Sequence, residues 1–280
     1  MLIDAFKSET YRLSRNWVQV AVATLIVPIL FVAGGAFVLL QAKAKGGPMA
    51  AMVGINPALP AAPLNLMDAL MMGADKGANG VTLILMLIAA ATLYVGDYRW
   101  ETWRLISARN SRTSLLLGKV AVMKGLALAG MLAFLAAAII FNLMKAGIFD
   151  RSLTFSAEAS DMGQFALVWL LSWLRIVQFT LIALLTGVFT RSLLAALFVP
   201  WALGFAQTLM GQILPALGWE PTSWKMQLLL PGVAYDTLKA VVQGTSGIDI
   251  WPALTGLVLW TLVPLIVALV WFNRQDLSKE

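Results

Sequence analysis

The apolar positions of this chain gather into six long blocks, near Trp17–Leu40, Gly80–Gly96, Ala121–Leu143, Phe165–Thr190, Leu193–Leu217 and Trp251–Phe272. A helix needs about 17–25 apolar residues to cross roughly 30 Å of hydrocarbon, and each block reaches that length, the second only just. Lipid offers no partner to free backbone groups, so the blocks are predicted to be helices. The two-residue alternation of membrane β-strands is absent. The pattern therefore predicts an all-α integral membrane protein with six transmembrane helices, a single transmembrane domain over 17–280.

The segments between the blocks have patterns of their own. In residues 1–16, Leu2, Phe6, Leu13 and Trp17 fall on one helical face and Lys7, Arg12 and Arg15 on the rest, which predicts an interfacial amphipathic helix entering the first span. Residues 41–79 carry Pro48, Pro57, Pro60 and Pro63 and so begin irregularly, with a short interfacial helix expected over Leu64–Met72. In 218–250 an apolar run, Met226–Leu230, is broken by Pro231-Gly232 before Val233–Val242. That loop is expected to form two short helices lying in or dipping into the outer leaflet. Ala42-Lys43-Ala44 has the small-residue form of a signal-peptidase site, but the first block is longer than a signal core of about 7–15 residues, and no cleavage is expected.

Composition reinforces the membrane assignment. The chain is 60% hydrophobic and 12% charged, against about 25% charged in soluble domains. Its net charge is +6 and its pI about 9.7. The basic residues lie beside apolar spans, where topology and anionic lipid account for them, so nucleic acid is not an expected partner. With both termini inside, the inner segments hold twelve basic residues and the longer outer loops seven, which predicts an N-in, C-in arrangement. Trp17, Trp219, Trp224, Trp251 and Trp271 stand at or near span ends as interfacial anchors.

The chain has no Cys and no His, which excludes disulfides, thiolate or imidazole metal sites, Cys nucleophiles and His-based acid–base catalysis. Gly118-Lys119 is followed by Val120, and Thr113 holds the first glycine position of a phosphate-binding loop, so that motif fails. Acidic residues are scattered rather than paired. No catalytic role, metal or bound cofactor is expected of this chain. Arg175 breaks the apolar rule about 10 residues into the fourth block, where an arginine costs about 2.5–3.5 kcal/mol on insertion scales. Ser172, Arg175, Gln178 and Thr186 approximate one helical face, which must meet protein or a water-filled cavity. Two roles are open for Arg175: an interhelical anchor, or a pathway residue contacting polar or anionic parts of a substrate. Gly204, Thr208, Gly211 and Gln212 give the fifth block a small, polar face that suits close packing or, with Ser172, Arg175 and Gln178, a pathway lining.

The richest segment is Asp97–Lys124. It holds Arg99, Arg104, Arg109, Arg112, Lys119 and Lys124 against Asp97 and Glu101, with Trp100 and Trp103 between them. Basic residues this close to span ends resist translocation, so the segment is expected to be cytoplasmic. Asp97-Tyr98-Arg99-Trp100, Thr102, Ser111-Arg112 and Gly118-Lys119, within a six-span layout that opens on an amphipathic helix, resemble the membrane subunits of ABC-2-type exporters. Glu101 stands where that family has glycine, and Asn110, expected here to cap the helix near Ser111, stands near its usual proline. Phe272-Asn273-Arg274-Gln275-Asp276-Leu277 is similar to the family's ending.

The resemblance implies a permease without ATPase motifs, in a bacterial plasma membrane. Two copies, as a homodimer or related heterodimer, would pair with two copies of a separate nucleotide-binding subunit that holds ATP and Mg. Residues 97–120 would then be the coupling segment, with Trp100, Thr102, Trp103, Arg104, Arg109, Ser111, Arg112, Gly118 and Lys119 facing the ATPase. Residues 1–16 would be the elbow helix and 218–250 the re-entrant outer helices. The expected cargo is an amphiphile, peptide or drug-like molecule. An ATP-independent secondary transporter or channel is a different reading and would require inverted repeats with broken helices. A membrane scaffold without transport is a third.

Overall fold

The computed structural model describes residues 2–46, 54, 62–99, 103 and 110–276. It contains ten helices among them: α1 Leu2–Arg15, α2 Trp17–Lys45, α3 Leu66–Lys76, α4 Gly80–Arg99, α5 Arg112–Ile148, α6 Ala159–Thr190, α7 Leu193–Ala216, α8 Trp224–Leu229, α9 Pro231–Val242 and α10 Trp251–Arg274. Helices α2, α4, α5, α6, α7 and α10 are long and apolar enough to cross a membrane. They coincide with the six blocks read from the sequence. The protein is thus an all-α, multi-pass membrane protein in composition and architecture.

Local chemistry sets the boundaries that hydropathy misplaced. Helix α5 begins at Arg112 rather than near Ala121 because Ser111, in extended backbone, accepts the Ser114 N–H at 3.3 Å. The cap is therefore Ser111 and not Asn110. Helix α6 begins at Ala159, six residues before the apolar block, because Glu158 and Asp161 form a reciprocal capping box. Its other end is a sharp reversal: Arg191 sits at φ 54°, donates to the Gly187 carbonyl at 2.9 Å, and hands over to Ser192, which caps α7.

Six alternating spans bring the described ends of the chain, α1 and the end of α10, to one end of the bundle. There the Gln275 side chain donates to the Val188 carbonyl, and Tyr98 donates to Gln275 Oε1 at 2.8 Å. At the opposite end a two-residue parallel bridge, Leu64↔Leu153 and Asn65↔Thr154, joins the approach to α3 with the segment after α5. Asn65 fastens it, donating to the Ser156 carbonyl at 2.7 Å and accepting the Ser156 N–H at 3.1 Å. This contact has no signature in the hydrophobic pattern.

Helix α6 is the axis of the bundle and α7 its most exposed span, with 61% and 17% of their most apolar stretches buried. Met86, Leu87, Met123, Met131, Ile176, Leu181 and Leu184 pack the core between α4, α5 and α6. The outward faces of α2 and α7 stay apolar, with Ile29, Leu30, Phe37, Leu194, Phe198 and Phe205 exposed. Such faces suit lipid or another apolar surface rather than water.

Candidate functional site

Two places in this bundle concentrate polar chemistry. The first lies at the end that carries α1. Four charged side chains from three helices meet there: Glu9 and Arg12 on α1, Asp97 on α4 and Lys119 on α5. Lys119 Nζ lies 2.6 Å from Asp97 Oδ2 and 3.1 Å from Glu9 Oε2, and donates to the Leu93 carbonyl at 3.0 Å. Arg12 reaches Asp97 through both terminal nitrogens, at 2.7 and 3.2 Å, and Glu9 at 2.9 Å. The Asp97 and Lys119 side chains are 0% and 1% exposed. Two cations balance two anions, which is the condition for burying charge at all. The hydrogen bond to Asp97, opposed by burial and aided by both carboxylates, raises the Arg12 pKa above its ordinary value.

Gly118 makes this approach possible. A Cβ there would lie 3.1 Å from the backbone carbon of Ala5 and 3.2 Å from its Cβ, so α1 crosses α5 closer than a side chain fits without a shift of a few tenths of an ångström. The face of α1 that packs on the bundle is therefore Ala5–Glu9, both buried, whereas Leu2, Phe6 and Trp17 are exposed. The apolar stripe read from the sequence is split: Leu2 and Phe6 point away from the protein, as an interfacial helix requires, while Leu13 packs against the core.

The expected coupling residues divide accordingly. Trp100, Thr102, Arg104 and Arg109 lie outside the described residues. Trp103 is fully buried, its ring 4.6 Å from that of Phe272 and 5.7 Å from that of Tyr98, with Lys119 Nζ 5.5 Å above it. Arg112 caps the end of α10, donating to the Gln275, Asn273 and Phe272 carbonyls at 2.5, 3.3 and 3.4 Å, where a cation complements the helix dipole. Leu115 and Leu116 are core residues. Ser111 is exposed. Trp103, Gly118 and Lys119 thus face the chain's own interior, and the Nη1 donor of Arg112 is engaged within it. The sequence reading placed Asp97, Gly118 and Lys119 in one segment but did not find Glu9 as their partner. A carboxylate on the basic amphipathic helix, three residues before Arg12, was the available signal.

The second place is around Arg175, midway along α6. Its guanidinium lies 4.6 Å from the Tyr235 ring centroid and 5.8 Å from that of Phe179, and makes no hydrogen bond or ion pair among the described residues. Two cavities meet at it. One, about 250 Å³, is lined by Arg175, Gln207, Thr208, Gln212, Gly232 and Asp236. The other, about 270 Å³, lies between α4, α6 and α7. Of the five expected pathway residues, Arg175, Thr208 and Gln212 are together here. Ser172 and Gln178 are not. Ser172 is buried, donates to the Ala74 carbonyl at 2.8 Å and so accepts from the Tyr235 hydroxyl at 2.9 Å. Gln178 donates to the Leu257 carbonyl at 2.9 Å. Both tie helices together, and Thr186 bonds within α6. Helical periodicity placed all four on one stripe, but α6 is surrounded, so one stripe meets different neighbours along its length. Gln207 and Asp236 complete the cavity and were missed, because neither is unusual in its own segment.

Comparison of the chain with family models, curated proteins and solved structures gives no significant match.

Proposed function

We propose that this chain is the transmembrane subunit of an ATP-driven exporter of the ABC-2 type, with ATP and Mg held by a separate nucleotide-binding subunit. The observation that carries the reading is the four-charge cluster, in which Glu9, Asp97 and Lys119 are buried and Arg12 is half-exposed. It locks α1 to the ends of the two spans that flank the basic, tryptophan-containing segment 100–111. Immediately after that segment, Arg112 is fixed to the end of α10. A connector that merely joins two spans needs no such anchoring. A segment that must pass a partner's movement into the spans does, because slack at its ends would absorb the movement.

In this reading the anchored end is cytoplasmic, the protein works as a dimer in a bacterial plasma membrane, and the exposed apolar faces of α2 and α7 meet lipid or the second copy. The donors proposed to meet an ATPase are those of segment 100–111, foremost Arg104 and Arg109, with the Arg112 nitrogens other than Nη1 beside them. Exposed ion pairs contribute only about 0–1 kcal/mol each, so charge reversal is the informative change. Arg104→Glu combined with Arg109→Glu is expected to leave the chain folded in the membrane and to release a co-expressed ATPase encoded beside it. Retention of stoichiometric ATPase with normal substrate-stimulated hydrolysis would overturn the reading.

A further inference from the structure

We propose that the paired cavities around Arg175 form a binding site for a monoanionic amphiphile, its oxyanion head held by Arg175 and Gln207 and its apolar chain lying between α4 and α7. The first support is an excess of unused donors. The Arg175 guanidinium is stacked on aromatic faces but unbonded. Gln207 is 8% exposed and lines the same chamber. Its Oε1 accepts the Gly232 N–H at 3.1 Å, which fixes the amide orientation, and its Nε2 is left buried without a partner among the described residues. A buried donor left unpaired costs about 1–3 kcal/mol, so such a group marks a place where something else bonds.

The second support is the backbone at the same spot. Gly232 lies in the first turn of α9, a twelve-residue helix whose N-terminal dipole favours negative charge. A Cβ on Gly232 would stand 3.2 Å from Gln207 Oε1 and 3.6 Å from both terminal nitrogens of Arg175, so glycine keeps this corner open.

The third is the shape. On the other side of Arg175 the second chamber is lined by Leu83, Ile84, Leu87, Phe179, Trp201 and Phe205. Ile84, Trp201 and Phe205 are 38%, 45% and 58% exposed, so this chamber opens sideways where the bilayer would lie. Arg175 and Thr208 are walls of both chambers. Joined, they fall in the range of about 300–1,000 Å³ usual for small-molecule sites. Asp236, an exposed carboxylate in the wall of the polar chamber, sets the charge: it tolerates one negative group beside Arg175 and repels a second. Lys239, one turn on, is engaged by Asp75 at 2.9 Å and adds no free cation.

A carboxylate on a free chain and a phosphodiester on a membrane lipid share this chemistry. The site stands on its own geometry, and only its identification with cargo rests on the export reading. The test uses the full chain without any ATPase, in a non-ionic maltoside detergent at alkaline pH so that no phosphodiester lipid competes for the site. The probes are ω-bromododecanoate and its uncharged counterpart, ω-bromododecanol, and quenching at Trp201 is taken as the difference from Trp201→Phe. The carboxylate should bind about tenfold more tightly than the alcohol or better, about 1.4 kcal/mol. Arg175→Met should abolish that preference while leaving the alcohol unchanged. Gln207→Leu, which leaves the charge of α6 in place, should reduce it and serves if Arg175→Met does not fold. Equal binding of the two probes to the wild type, or a preference unchanged in both variants, would overturn the proposal. Displacement of the carboxylate by added phosphatidylglycerol assigns the site to a lipid head, and no displacement assigns it to a free carboxylate. Because no ATPase is present, failure here leaves the co-purification test untouched, and the reverse holds too.

Discussion

Lys119→Met is the sharpest perturbation of the anchored end. The substitution keeps most of the side-chain volume and removes one ammonium that is 1% exposed and contacts Glu9, Asp97 and the Leu93 carbonyl. Of the four clustered charges, Arg12 is then the remaining cation beside the two carboxylates. Breaking a buried ion pair by deleting one partner costs about 3–5 kcal/mol. Asp97 keeps both of its bonds to Arg12 and Glu9 keeps one, which places the loss near the lower figure. At about 2–4 °C per kcal/mol, a loss of about 3 kcal/mol lowers the melting temperature by roughly 6–12 °C. Tryptophan fluorescence reports it directly, because Trp103 packs beneath Lys119. Adding Asp97→Asn should cost much less than the sum of the single changes, with a coupling of about 1–3 kcal/mol. Replacing all four charges together, with Glu9→Gln and Arg12→Met, should recover much of the stability, since well-packed neutral groups often match a buried ion pair. Additive single effects, or a melt unchanged by Lys119→Met, would refute the account of the cluster as a mutually dependent unit.

Further consequences follow from the same geometry. Gly118→Val drives a branched side chain into the Ala5 backbone and should lift α1, seen as new protease cleavage within residues 2–15 while the spans remain protected. Single cysteines in this Cys-free chain should label only from inside at Ser111 and from outside at Thr245; outside labelling at Ser111 would reverse the orientation. Asp75 lies between Lys76 and Lys239, each at 2.9 Å. Burial pushes its pKa up, but the two ammonium groups outweigh burial and leave it below its ordinary 3.8. Lys239 shifts the other way: burial pulls it down and Asp75 more than restores it, above 10.5. The α3–α9 tie is therefore fully present between about pH 4 and pH 10, is lost as pH falls through the folded Asp75 value, and is lost at the alkaline end as Lys239 deprotonates. Asp75→Asn should remove the acid limb of an unfolding-versus-pH curve and weaken the alkaline limb with it, because Asp75 is the partner that holds Lys239 charged; an unchanged acid limb would assign that loss to another group.

Span positions were legible because bilayer thickness writes itself into composition, and all six helices stand where the apolar blocks stand. The ends were less legible. The Ser111 cap and the Glu158–Asp161 box extend helices through polar residues that hydropathy discounts. Side-chain partnership was the least legible, since the relevant separations are large in sequence. Glu9 and Lys119 are 110 positions apart, and Gln207 meets Gly232 across the turn and short helix that follow α7. Arg112 illustrates the limit well. Its charge and position near a span end suit a docking cation, and only the arrival of the α10 terminus beside it shows that its Nη1 is already committed.

The two polar places differ in a way that separates holding from receiving. At the α1 end every charge is answered: two cations, two anions, and a backbone carbonyl for the remaining ammonium donor. Such a cluster has no capacity left for a ligand, and its partial loss destabilises. Around Arg175 the balance is open among the described residues, with guanidinium and amide donors facing space and Asp236, the carboxylate in the chamber wall, out of ion-pair reach. A purely structural arginine in a span would be expected to find carbonyls, as Arg112 does at the end of α10. Helix α4 is the one element among the described residues that contributes to both places. Asp97 lies near one end of it, and Leu83, Ile84 and Leu87 line the apolar chamber near the other. The ten residues from Leu87 to Asp97 span about 15 Å along a helix axis. A tilt of α4 driven through Asp97 would therefore change the width of the chamber between α4 and α7. That gives the anchored end a direct mechanical route to the chamber beside Arg175.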